Sequence, residues 1–149
     1  MPSNPDTIAC KYLAYRFGGK FIRLPLVHIY LKAAGEVQTD GLVDSGATAT
    51  FIPYGIAEAI GLLPEDKSNL IKSDARAAAG GFGTYIIRLP ILRVIKGAHH
   101  FDEFRNIDVH VPQSEQTDLP HAILGRDHLF KHFDITFHEK RQKVTFRRL

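Results

Sequence analysis

A mainly β domain is predicted by three features of the sequence. β-Branched and aromatic residues recur in short runs, the runs are separated by Gly, Pro and Asp, and only two stretches carry helix signals. The first run spans residues 21–31, where Ile22, Leu24 and Leu26 alternate with Arg23 and Pro25 before Val27 and Ile29 continue it. Residues 37–43 follow the Ala34-Gly35 break, so these two runs are expected to form a hairpin. A helix is expected at 53–60: Pro53 suits a first turn, Ile56-Ala57-Glu58-Ala59-Ile60 is compatible with a helix, and Gly61 can take the left-handed cap. Residues 86–95 and 101–111 should pair across Lys96-Gly97-Ala98. A second short helix is expected at 127–131 after Gly125, with Asp127 near its positive end. Residues 133–137 and 143–146 should form the last hairpin across 138–142.

At 149 residues the chain has the usual size of one domain, and 44% hydrophobic with 23% charged residues excludes global disorder. Residues 1–20 are read as an N-terminal extension and 21–149 as the domain. The single Cys10 cannot form an intrachain disulfide or a cysteine zinc site, which fits a reducing, cytoplasmic setting. The longest apolar stretch, 21–34, is interrupted by Arg23, His28 and Lys32, so no segment there can span a bilayer or serve as a signal-peptide core, and no membrane partner is expected. The net charge of +3 belongs to the tail: residues 131–149 hold six Lys/Arg against two Asp/Glu, and the rest is close to neutral. Lys140-Arg141-Gln142-Lys143 reads as a solvated turn, and no nucleic-acid partner is expected.

The segment that carries chemistry is Gly41-Leu42-Val43-Asp44-Ser45-Gly46-Ala47-Thr48. An apolar strand ends in an acid, then a small hydroxyl residue, then a glycine that permits a tight turn and close approach of another backbone. The bare tripeptide is a weak signal, and its context strengthens it. Downstream lie a glycine-rich stretch, Ala77-Ala78-Ala79-Gly80-Gly81-Phe82-Gly83, and then Ala122-Ile123-Leu124-Gly125-Arg126-Asp127, two bulky apolar residues followed by Gly.

In this order and spacing the three elements resemble the retropepsin-like (retroviral-type, single-domain) aspartic proteases, over roughly residues 22–146. The resemblance implies a retropepsin-like acid-protease β-barrel with one or two short helices, working as a homodimer. It implies Asp44, Ser45 and Gly46 as the catalytic loop, with the Ser45 hydroxyl bracing the pair of loops and Gly46 letting the backbone approach substrate. It also implies a flap at Gly80, Gly81, Phe82 and Gly83, and substrate contacts from Ala47, Ile123 and Leu124. In viral members an acid follows the Ala of the loop and pairs with the Arg after Ile-Gly. Here Thr48 stands in that place while Arg126 remains.

Independent chemistry points the same way. Hydrolysis by carboxylates needs two of them about 3 Å apart sharing one proton, one acting as base on water and the other as acid on the carbonyl oxygen. No other Asp in the chain is followed by Ser/Thr-Gly. The second carboxylate is therefore expected to be Asp44 of another copy, met across a two-fold axis.

Other motifs carry less. Ser45 lacks the Gly-x-Ser-x-Gly nucleophile elbow, since Val43 and Ala47 hold the glycine positions. The glycine-rich stretch lacks the Lys-Ser/Thr of a P-loop. His128 and His132 stand four apart, yet Leu129 occupies the Glu position of a zincin and no third ligand is in register, so neither a metal nor a cofactor is expected. His99-His100 is expected to be exposed at a turn. The expected function is peptide-bond hydrolysis by a homodimeric aspartic endopeptidase. The competing reading is a dimer that keeps the fold and binds peptides or a partner protein without cleaving them.

Overall fold

The computed structural model describes residues 6–77, 80–117 and 119–149. Strand accounts for 59% and helix for 7%, which makes the chain mainly β. Among the described residues the order is β1 (Thr7–Lys11), β2 (Leu13–Phe17), β3 (Lys20–Leu24), β4 (Leu26–Lys32), β5 (Glu36–Val43), α1 (Tyr54–Ala59), β6 (Ile71–Ala77), β7 (Gly80–Lys96), β8 (His99–Pro112), β9 (Ala122–Leu124), α2 (Leu129–His132), β10 (Phe133–His138) and β11 (Lys143–Arg148).

The spine is β7, 17 residues long. One edge pairs antiparallel with β8, while the other pairs with β6 through its first half and with β4 through its second. β4 turns into β5 with Leu26 opposite Leu42, and β9 adds to β5 in parallel with Gly41 opposite Ala122. Along β4, Val27, Ile29 and Leu31 are buried while His28 and Lys32 face solvent, the period of two that a half-buried strand requires. The core joins these residues to Leu89, Val94, Val109, Val111, Leu124, Phe133 and Phe146, each fully buried side chain contributing about 1.5–3 kcal/mol.

The expected closed barrel is not found among the described residues. Strand pairing runs from β8 through β7, β4 and β5 to β9, and between β9 and β8 stands only Phe51, which bridges Ile123 on one side and His110 on the other. The gap is held by four backbone bonds, two between Phe51 and Ile123 at 2.8 and 2.9 Å, and two tying His110 to Thr50 and Ile52 at 2.8 Å. A chain that has just turned through a tight loop passes between the two edges without running along either.

Three of the expected hairpins are present: β4 with β5, β7 with β8 around Gly97 at φ +62°, and β10 with β11. The run expected at 21–31 is cut in two at Pro25. Proline has no N–H to give a ladder, and its carbonyl instead accepts the Val43 N–H at 2.9 Å. Residues 20–24 fold back as β3 onto β2 across Gly18 and Gly19, both at positive φ as a tight hairpin turn needs.

Within the stretch expected to precede the domain, β1 pairs with β11, and Ile8, Cys10 and Tyr12 lie in the main core; residues 1–5 fall outside the described residues. Helix α1 starts after Pro53 and ends as expected. The Leu62 N–H reaches the Ala57 carbonyl at 2.8 Å and the Gly61 N–H reaches Glu58 at 3.1 Å, with Gly61 at φ +70°. Helix α2 begins two residues later than expected. His128, at φ +68° and ψ −73°, breaks the helical backbone before Leu129, while the Asp127 N–H donates to the Thr48 carbonyl at 2.9 Å and the Asp127 carboxylate meets Lys131 Nζ at 2.9 Å.

Candidate active site

Asp44 stands where β5 leaves the sheet. Its N–H donates to the Leu124 carbonyl at 3.0 Å, which continues the β5–β9 pairing one step beyond the strand. Its Oδ1 accepts the Gly46 N–H at 2.8 Å, and the Ala47 N–H returns to the Asp44 carbonyl at 3.3 Å, so the turn is closed by the side chain that it presents. Ser45, Gly46 and Thr48 are exposed, and Asp44 and Ala47 are half-buried.

The loop is held from below by the segment after β9. The Arg126 and Asp127 N–H groups donate to the Ala47 and Thr48 carbonyls, both at 2.9 Å. Gly125 makes this approach possible: a Cβ there would fall 2.1 Å from the Ala49 carbonyl oxygen and 2.8 Å from that of Ala47. Gly41 does the same beneath β5, where a Cβ would meet Leu124 Cδ1 at 2.9 Å. The two signals read separately in the sequence, Asp44-Ser45-Gly46 and Ile123-Leu124-Gly125, thus form one packed unit. Arg126 joins it through its backbone, and its side chain is exposed.

Asp44, Gly46, Ala47 and Thr48 form one wall of a cleft of about 540 Å³, whose other walls are Phe51, Ile123, Leu119, His110 and the hairpin residues Asp74, Ala75, Arg76 and Phe82. Ala49, Phe51 and Ala75, packed with Ala47, Phe82, Leu119 and Ile123, make a small apolar cluster of their own beneath it. The Phe82 ring meets Phe51 at 6.2 Å between centroids.

The residues expected to contact substrate separate on this surface. Ala47, Phe82 and Ile123 line the cleft. Leu124 alternates with Ile123 and faces the main core, 1% exposed. Gly80, Gly81 and Gly83 lie along the β7 arm opposite Ala77, Arg76 and Asp74; Ala78 and Ala79 of the glycine-rich stretch lie outside the described residues. A Cβ at Gly83 would meet the Gln113 amide at 2.9–3.0 Å, so this glycine admits a neighbour against the hairpin arm.

Sequence reading missed His110, Phe51, Asp74 and Arg76. His110 is half-buried in the cleft wall, its Nδ1 2.9 Å from the hydroxyl of the fully buried Thr84 and its ring 5.2 Å from Phe51. Burial pushes its imidazole below the ordinary value, against the pull of Asp127 and Asp108. The alternation of Val109-His110-Val111 marks a histidine facing away from the core. Which surface it reaches depends on residues 50–52 crossing beside it. Elsewhere His132 Nδ1 lies 2.6 Å from the His128 carbonyl oxygen, and His99 and His100 are exposed at the start of β8. No group of three or more His, Cys, Asp or Glu able to hold a metal ion occurs among the described residues, and no helix there is long and apolar enough to cross a membrane.

No family model and no curated protein sequence matches the chain. Among solved structures, a retropepsin-like aspartic protease from Rickettsia conorii superposes with a TM-score of 0.59 at 21% sequence identity, over 95% of this chain and 93% of that one. The similarity is one of fold.

Proposed function

We propose that the chain is an aspartic endopeptidase that works as a homodimer with one catalytic Asp44 from each copy. The observation that carries this reading is the position of Asp44. Its carboxylate stands on a short turn locked from below by the 123–127 backbone, at the wall of a cleft whose far side is a β-hairpin. Rigid placement of a carboxyl group on the end of a strand is what general acid–base work requires.

One carboxylate cannot act as base on water and acid on the carbonyl oxygen in the same step. Two that share a proton can, and the exposed tip at Ser45 and Gly46 leaves room for a second copy of the loop. In this reading the Ser45 hydroxyl braces the paired loops. Peptide lies in the cleft with apolar side chains against Phe51, Phe82, Leu119 and Ile123, while the β6–β7 hairpin excludes water above it. The fold likeness to the Rickettsia enzyme supports the same chemistry.

The test is hydrolysis of a mixed peptide library by the wild-type chain and by Asp44→Asn. The amide keeps an oxygen to accept the Gly46 N–H, so the variant should fold normally and lose about 10³-fold or more in kcat/KM. Specific activity of the wild type should also fall on dilution as dimers dissociate. Activity that survives in Asp44→Asn overturns the reading. Peptide binding without hydrolysis in the wild type identifies a binding dimer instead.

A further inference from the structure

We propose that the β2–β3 hairpin is the surface by which one copy of this chain grips a second. The proposal rests on Asp44 being half of a carboxylate pair and names what holds the halves together.

The hairpin has no partner for its own edges. Among the described residues β2 and β3 pair only with each other, from Leu13 opposite Leu24 to Phe17 opposite Lys20. A two-stranded ribbon is marginally stable alone in water, and both of its outer edges offer unpaired N–H and C=O groups.

Its apolar face also outruns the body of the protein. Cross-strand partners share a face, so Leu13, Tyr15 and Phe17 stand beside Leu24, Ile22 and Lys20. Near the base this face is covered: Leu13, Tyr15 and Leu24 are half-buried, and Tyr15 meets His121 edge-on at 5.4 Å. Towards the tip the cover ends, with Ile22 39% and Phe17 68% exposed. On the opposite face Phe21 is 74% exposed beneath the Arg16 guanidinium, 5.9 Å from its ring centre.

The hairpin springs from the edge that carries Asp44. Pro25, directly after β3, accepts the N–H of Val43, the residue before Asp44. His121, under Tyr15, directly precedes β9, whose Ile123 lines the cleft. A two-fold axis that faces Asp44 with its counterpart therefore brings each hairpin against the other copy.

Area and composition call for such a contact. A stable dimer buries about 800 Å² per partner, and its energy concentrates in aromatic and Arg side chains. The loop tip of Ser45, Gly46, Ala47 and Thr48 offers only small residues. The hairpin offers Tyr15, Phe17, Phe21 and Arg16. Charge also directs it: Arg16, Lys20 and Arg23 are its charged residues and no acid lies between residues 13 and 24, so two hairpins repel each other and each lies across the body of the other copy.

The test measures oligomeric state by sedimentation for the wild type, Phe17→Ser/Phe21→Ser and Asp44→Asn. The wild type and Asp44→Asn should be dimeric to the same dilution, while the hairpin variant should dissociate at about 100-fold higher concentration or more. Its activity should return as protein concentration is raised. Amide exchange in residues 13–24 of the wild type, protected when concentrated and open when dilute, gives the same answer without a variant. A hairpin variant as dimeric as the wild type, or exchange at 13–24 independent of concentration, overturns the clasp and leaves the role of Asp44 standing. Dimerisation intact but activity retained in Asp44→Asn overturns the catalytic reading and leaves the clasp standing. Binding of the wild type to phosphatidylserine vesicles, lost in the hairpin variant with the dimer unchanged, overturns the clasp in favour of a lipid surface.

Discussion

Gly125 and the Ala49 carbonyl oxygen approach so closely that a methyl group on the glycine would sit 2.1 Å from that oxygen. The atom in the way is backbone in a loop bonded on both sides, so it cannot swing aside as a side chain would. Gly125→Ala should therefore push the Asp44 loop off the 123–127 segment and cost about 2–3 kcal/mol or more. Thermal denaturation checks this: a melting temperature within a degree or two of the wild type refutes the close packing.

Phe82 joins the β6–β7 hairpin to the far side of the cleft through Phe51. An aromatic pair contributes about 0.5–1.5 kcal/mol beyond buried area. Phe82→Ala should raise KM several-fold and lower the melting temperature by only a few degrees, because the ring is half-buried at the cleft and outside the main core. Steady-state kinetics with one good peptide decide it. An unchanged KM removes Phe82 from the substrate surface.

Acid should loosen the fold through two histidines. Burial holds the His110 and His121 imidazoles below their ordinary value of 6.5, although Asp127 and Asp108 favour the charged form of the first and Asp40 that of the second. The unfolded chain then binds more protons than the folded one in this window. The stabilisation is fully present above about pH 6.5 and is lost as pH falls through the folded values. The melting temperature should drop between pH 7 and pH 5, and His121→Phe, which keeps a ring against Tyr15, should reduce the drop. A flat profile in the wild type, or an equal drop in the variant, contradicts this origin. The carboxylates with lowered values act further down. Arg93 and Arg105 hold Glu103 ionised below its usual range, and Lys131 does the same for Asp127, so their stabilisation disappears only at more acid pH.

Much of the fold was legible because it is written in local pattern. The β4–β5, β7–β8 and β10–β11 hairpins follow from alternating apolar residues around turn residues, and the cap of α1 from Gly61. β1, β2 and β6 were not: the alternation of β1 and β2 lasts only five residues in each, and β6 is made mostly of polar and small residues. β1 becomes a strand only because the β11 edge and the core beneath it are there to receive Ile8 and Cys10. The start of α2 was misplaced because His128 takes a left-handed φ of +68°, which breaks the helical backbone between Asp127 and Leu129.

By itself the sequence determined which positions build the Asp44 loop: an acid at the end of an apolar strand, a glycine two residues on, and a second glycine about eighty residues later. These are requirements of single positions, for a carboxylate or for the absence of a side chain, and composition records them directly. The tertiary structure alone decided that Ile123 meets the cleft while Leu124 meets the core, that His110 joins the cleft wall, and that Phe51 spans the gap where a closed barrel was expected. Each depends on which face a strand turns to a neighbour far along the chain, and a one-residue change of register would reverse it.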